Sequence, residues 1–240
     1  MTARAALRLG AALLCLGTPL SLPVRAAPAA AEEGGSTRNL YMLLIRQART
    51  DGRPRAALAY LDDFDRQYPG DMEARILRVN CLLDLGQTDA ARIAAARIPA
   101  SQRSGEASAV RGHVLAAQGA WEEAVAQYRL ARAASPANAL TANALGYAQI
   151  RAGRDEEAVE TLRGAADLAP ENPVIRNNLI LALSLAGRDE QAMAVFRTIR
   201  DAGERATLRQ QIADQAALVA GPAEPAAAPL PATGAHQKEE

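Results

Sequence analysis

Small and apolar residues return along this chain with a period close to 34. Leu145, Gly146, Gly153, Ala158, Leu162, Ala165 and Pro170 form one set, and Gly112, Gly119, Trp121, Ala124, Tyr128, Ala131 and Pro136 form the set before it. The glycines alone trace the period: Gly52, Gly86, Gly119, Gly153 and Gly187 stand 34, 33, 34 and 34 residues apart. Each is followed five residues later by an alanine, at Ala57, Ala91, Ala124, Ala158 and Ala192. Glycine takes the positive-φ conformation that ends a first helix and lets the chain reverse. An alanine early in the second helix lets two backbones approach closely, where a larger side chain wedges them apart. The pattern predicts a stack of helix pairs.

Five repeats follow from this spacing, at 38–71, 72–104, 105–138, 139–172 and 173–206. Asn172 before Pro173 is an N-cap and first-position pair that opens the fifth. Asp155-Glu156-Glu157 and Asp189-Glu190 place acids on the first turn of second helices, where the macrodipole favours them. Pro69, Pro136 and Pro170 close the first, third and fourth repeats. The second lacks that proline, is one residue short and carries Pro99 early, so irregular geometry is expected from Pro99 to Gly105. Thr207 to Val219 reads as a further helix with Leu208, Ile212 and Val219 near one face, giving a capping helix over 207–220 with a polar outer cover. Residues 30–37 read as a polar linker, and the Pro/Ala-rich 221–240 as a disordered tail.

A repeat of this length and these residue sets resemble the tetratricopeptide repeat family, over about 170 residues. The resemblance implies an all-α fold: a right-handed superhelical solenoid of five helix-turn-helix repeats plus the C-terminal cap. It also implies that the first helix of each pair lines a concave surface that binds protein segments. Taking the residue six before each glycine gives Arg46, Asn80, His113, Tyr147 and Leu181. Ten before gives Met42, Ile76, Ala109, Asn143 and Asn177. Family geometry turns both rows to the groove, with Met42, Arg46, Asn80, His113, Asn143, Tyr147 and Asn177 as the protein-binding set. Their amides and hydroxyl suit hydrogen bonding to an extended peptide. They do not reproduce the carboxylate clamp of chaperone-binding members, which needs Lys/Asn and Lys/Arg pairs at these places. Arg78 and Arg111 replace the family's usual leucine, so packing in repeats two and three is expected to deviate.

Composition narrows the function classes. The 240 residues are 3% aromatic and alanine-rich, which suits thin helix-helix layers better than a sheet core. Formal charge is zero. Removing the three arginines of the leader described next, Arg4, Arg8 and Arg25, from the 27 basic residues leaves 24 against 27 acidic ones. That balance argues against a general nucleic-acid binder, which needs a basic face. Lys238 is the single lysine, so nearly all positive charge is arginine. We read that bias as one of coding composition.

The N-terminus reads as a secretory signal peptide over 1–29. Arg4 and Arg8 lead a short apolar stretch from Leu9 to Leu16, broken by Pro19 and Pro23. Cleavage is expected after Ala26 or Ala29, giving a periplasmic protein. The apolar run is too short to span a bilayer, and nothing later approaches that length. Cys15 lacks the small residues that lipoprotein processing needs before it, so no lipid anchor is expected. Cleavage leaves Cys81 as the only thiol, a small packing residue that excludes an intramolecular disulfide. Leu230-Pro231-Ala232-Thr233-Gly234 matches a sortase signal, but no apolar segment and basic end follow it.

Catalysis has little to stand on. The two histidines are His113 and His236, and no metal-spaced cysteine pair, His-Glu-x-x-His helix or phosphate-cradling loop is present, so no cofactor or metal is expected. Adjacent acids such as Glu122-Glu123 point in different directions from helix starts, and Trp121 occupies a family packing position. An enzyme decorated with repeats lacks room, because repeats and cap fill the mature chain. Asn143-Ala144-Leu145-Gly146-Tyr147 and Arg176-Asn177-Asn178-Leu179 through Ala186-Gly187-Arg188 resemble the tetratricopeptide proteins encoded with Flp (Tad) pilus assembly machines. That resemblance implies a periplasmic assembly factor near an outer-membrane secretin, with secretin or pilus components as partners. A scaffold for exopolysaccharide or cellulose export is the alternative.

Overall fold

The computed structural model describes residues 29–220. The segment expected as a signal peptide, with Cys15, and the expected tail with its Leu-Pro-x-Thr-Gly match lie outside these residues, except that Ala29 opens the first helix. Eleven helices and no strand are present among the described residues. They are α1 (Ala29–Thr50), α2 (Pro54–Gln67), α3 (Met72–Asp84), α4 (Thr88–Ala95), α5 (Gly105–Ala117), α6 (Trp121–Ala134), α7 (Ala139–Arg151), α8 (Asp155–Leu168), α9 (Pro173–Leu185), α10 (Asp189–Phe196) and α11 (Ala202–Ala220).

The chain reverses the same way five times. Gly52, Gly86, Gly119, Gly153 and Gly187 all have φ between 68° and 77°. After each, the next residue's N–H reaches five residues back, as in Arg53 to the Ala48 carbonyl (2.9 Å) and Arg188 to Leu183 (2.8 Å). This is the Schellman closure that satisfies the last carbonyls of a helix. The first helices of repeats two to five are instead capped by side chains at their N-termini. Asp71, Ser104, Asn138 and Asn172 accept from the backbone N–H of Ala74, Ala107, Thr141 and Ile175.

The core over residues 38–220 is a row of seams. Met42, Ile45, Leu61, Phe64, Leu77 and Cys81 bury together across α1, α2 and α3. Val79, Ala91, Ile98, Val110 and Val114 continue through α3 to α5, and Ala124, Tyr128 and Leu145 join α6 to α7. Ile150, Ala158, Leu162, Ile180, Phe196, Leu208 and Ile212 close the far end under α11. Each repeat therefore buries its apolar face mainly against its neighbours, the arrangement of a solenoid. Cys81 is fully buried, and burial pushes its thiol pKa up, so it packs and does not react.

Two boundaries differ from the sequence reading. Residues 30–37, expected as a linker, belong to α1: Ala30, Ala31, Glu32 and Glu33 are strong helix formers that outweigh Gly34 and Gly35. The cap starts at Ala202, five residues before the expected Thr207. Asp201 Oδ1 accepts from the Glu204 N–H (2.6 Å), an N-cap inside what was read as the fifth repeat. The second helices also vary in length: α4 and α10 have only eight residues each, against 14 for α6 and α8.

The two short helices end alike. Ile98 and Ile199 follow them and bury at 4% and 2% exposure. An arginine from the next helix then pins each loop. Arg111 donates to the carbonyls of Pro99 (2.8 Å) and Gln102 (2.9 Å), and Arg205 to those of Ile199 (2.6 Å) and Arg200 (2.9 Å). The Pro99–Gly105 join is irregular, and Arg111 replaces the usual leucine because the loop carbonyls need a donor. Arg78 does the same for charge: it bridges Asp62 and Asp65 on α2 at 2.8 and 2.9 Å.

Candidate functional site

Rows of side chains on the first helices meet in a groove of about 710 Å³ running over α1, α3, α5 and the start of α7. Arg46, Asn80 and His113 line it from one row, with Ile76 and Ala109 from the other. A third row, unread in the sequence, lies thirteen residues before each glycine: Glu73, Glu106 and Leu140. The signal was present, because offsets of thirteen, ten and six are separated by three and four residues, the spacing of one helix face.

Charge is arranged asymmetrically in this groove. Glu73 takes both Arg38, at 3.1 Å, and Arg46, while Asp71 also holds Arg38 at 2.8 Å. Hydrogen bonds to Asp71 and then Glu73 raise the Arg38 pKa above its ordinary value. This cluster closes the α1–α3 side. Across from it, Glu106 is exposed and has no ion pair among the described residues, and Leu140 is 66% exposed. Between them His113 Nδ1 lies 3.3 Å from Asn80 Oδ1. Burial, with Arg49 nearby, lowers the His113 pKa below its usual range, so the ring is neutral at neutral pH. A neutral ring and an amide offer donors and acceptors without net charge.

The other expected residues divide. Asn143 and Tyr147 line a second, smaller pocket of about 290 Å³ with Trp121, Tyr128 and Asn178. Met42 is not a groove residue. It is 2% exposed and packs with Ile45, Phe64 and Leu77, because an unbranched apolar side chain gains more in that seam than against water. Leu181, likewise, is 3% exposed. Asn177 lines neither pocket, and its Oδ1 faces Arg176 Nε at 3.4 Å. Its neighbour Asn178 takes that place, donating through Nδ2 to Asn143 Oδ1 at 2.9 Å.

The repeat geometry agrees with comparison to known proteins. A family model described as tetratricopeptide repeat matches residues 48–113. Residues 48–113 carry the tetratricopeptide repeat, and the described helix pairs share its fold. A second family model, the bacterial transcriptional activator domain, matches residues 111–212, which are the helix pairs from α5 to α10 and the start of α11. A thermophilic tetratricopeptide protein of Thermus thermophilus, TTC0263, is 22% identical with a TM-score of 0.60, covering 74% of this chain and 97% of its own. PilF of Pseudomonas aeruginosa is 16% identical with a TM-score of 0.62, covering 78% and 90%. MamA of Desulfovibrio magneticus RS-1 is 22% identical with a TM-score of 0.53, covering 72% and 96%. No curated protein sequence matches the chain. At these identities the likeness is one of fold. Tetratricopeptide solenoids are protein-interaction scaffolds and generally not enzymes. No described helix of this one is long and apolar enough to cross a membrane.

Proposed function

We propose that this chain is an exported scaffold that holds an extended segment of a partner protein along its concave face. We further propose that it serves assembly of an envelope machine such as a Flp (Tad) pilus with its secretin. The observation that carries the binding reading is the groove in which Arg46, Asn80 and His113, from three consecutive first helices, face one space with Glu106 and Leu140. Main-chain hydrogen bonds to Asn80 and His113 give such a segment affinity, and Leu140 and Ile76 give it apolar contact. The Asn143–Tyr147 and Arg176–Arg188 sequence blocks support the pilus assignment, and the leader supports export.

Two results test this. Partners recovered from an envelope extract by the wild-type protein should bind the Asn80→Ala, His113→Ala double variant roughly tenfold more weakly or worse, since each truncation strands a backbone group. A variant that folds normally, by circular dichroism, and keeps every partner removes the groove as the working surface. Pilin or secretin components among those partners fit the pilus assignment, and glycan synthase components the export alternative. Separately, mass spectrometry of periplasmic protein should find a mature start at Ala27 or Ala30. An intact Met1 in the cytoplasm overturns export.

A further inference from the structure

We propose that the second pocket is an anchor for one uncharged aromatic side chain of the partner segment, with the backbone of that same residue held by the Asn143–Asn178 amide pair. This rests on the concave face being the peptide-holding surface and names the residue type it selects. The pocket adjoins the first groove along α7, where Leu140 and Thr141 line one and Asn143 and Tyr147 the other.

Its walls are rings. Trp121 and Tyr147 meet edge-on with centroids 6.1 Å apart at 84°, and Tyr128 lines the same space. Ala116, Ala144 and Ala148 supply only methyl groups, which leaves the space open. An inserted aromatic side chain gains ring-to-ring geometry that an aliphatic one lacks. A cationic one is disfavoured on two grounds. None of the lining residues carries a charge to pair with it, and burying an unpaired charge is costly. The Arg151 guanidinium also already covers Trp121 at 4.4 Å, so a second cation meets repulsion there.

The amides offer a backbone both a donor and an acceptor. Asn178 Nδ2 spends one hydrogen on Asn143 Oδ1, and among the described residues Asn143 Nδ2 and Asn178 Oδ1 have no partner. Exchanging the oxygen and nitrogen of both amides leaves the same inventory in exchanged places, one unpartnered NH2 group and one unpartnered oxygen. An extended residue presents its own N–H and C=O on one edge, the complementary pair.

Trp121 is the single tryptophan of the chain, so its emission reports on this pocket. The probe is a displayed library of random, tryptophan-free short peptides panned against the full protein. Selected peptides should share an aromatic at one position and shift Trp121 emission. Each should lose about tenfold in affinity when that aromatic becomes alanine, or when the protein carries Ala144→Leu, which fills the pocket, or Asn143→Ala with Asn178→Ala, which keeps it open. Peptides without a shared aromatic that leave Trp121 emission unmoved, yet are lost on Asn80→Ala with His113→Ala, overturn the anchor and keep the groove. A library that yields no binder overturns both.

Discussion

Phe64→Ala should destabilise the protein by about 3–5 kcal/mol, the range for emptying a fully buried aromatic site. Phe64 has no exposed surface and sits where three helices meet. Its ring stacks on Tyr68 at 4.7 Å and takes Tyr41 edge-on at 5.9 Å. Removing it leaves a cavity bounded by Ile45, Leu61 and Leu77, which belong to different helices and cannot collapse together without shifting backbone. Because each seam depends on its neighbours only, the loss should be local. Hydrogen exchange should rise in α1, α2 and α3 well before α7 to α9. Urea unfolding together with exchange checks both parts. A cost below about 1 kcal/mol, or an even loss of protection along the chain, would show that the first seam does not hold the α1 wall of the groove.

Sequence made the backbone legible because the reversal needs glycine itself. A Schellman closure requires a residue at positive φ, and the chain supplies glycine each time. Side-chain direction was most legible in the middle of the stack, although Arg46 of the first repeat also lines the groove. Asn80 and His113 have repeats on both sides, and they face the groove where the periodic offset puts them. Met42 shares the offset of Ile76 but belongs to the first repeat, and its long apolar side chain turns into the seam. At the other end, one helical position separates Asn177 from Asn178, about 100° of rotation, and the periodic offset alone did not choose between them.

Arginine was read as compositional, and the structure gives it work. Arg154 pairs with Glu122, and one repeat later Arg188 pairs with Glu156. Arg129 pairs with Glu157, and one repeat later Arg163 bonds Gln191. These contacts join second helices across 32 and 28 residues, separations no local pattern exposes. Such solvent-accessible pairs are screened and give up side-chain entropy, so they contribute little to stability. They tie adjacent repeats without fixing the groove.

The seat of α7 depends on how closely it lies to α8, and that spacing rests on Gly146. An ideal Cβ built there would stand 2.5 Å from Leu162 Cγ and 2.8 Å from its Cδ2. In an open helix Gly→Ala stabilises by about 1 kcal/mol. Here Gly146→Ala should reverse sign and cost about 1–3 kcal/mol, because Leu162 is fully buried and has nowhere to move. Gly112 repeats the arrangement in α5, where a Cβ would meet Tyr128 Cε1 at 2.7 Å. Leu162→Ala alone should cost about 2–5 kcal/mol as a cavity. The double variant Gly146→Ala, Leu162→Ala should then be less destabilised than the two losses added, by about 0.5–3 kcal/mol, since the new methyl enters the space the leucine left. Asn143 and Tyr147 stand on the same helix as Gly146, so the single variant should also weaken ligands of the aromatic pocket while the double restores them in part. Urea midpoints at unchanged m-value, compared across the four proteins, decide it. If Gly146→Ala equals or exceeds wild type in stability, the seam has room to spare, and the separation of α7 from α8 is set elsewhere.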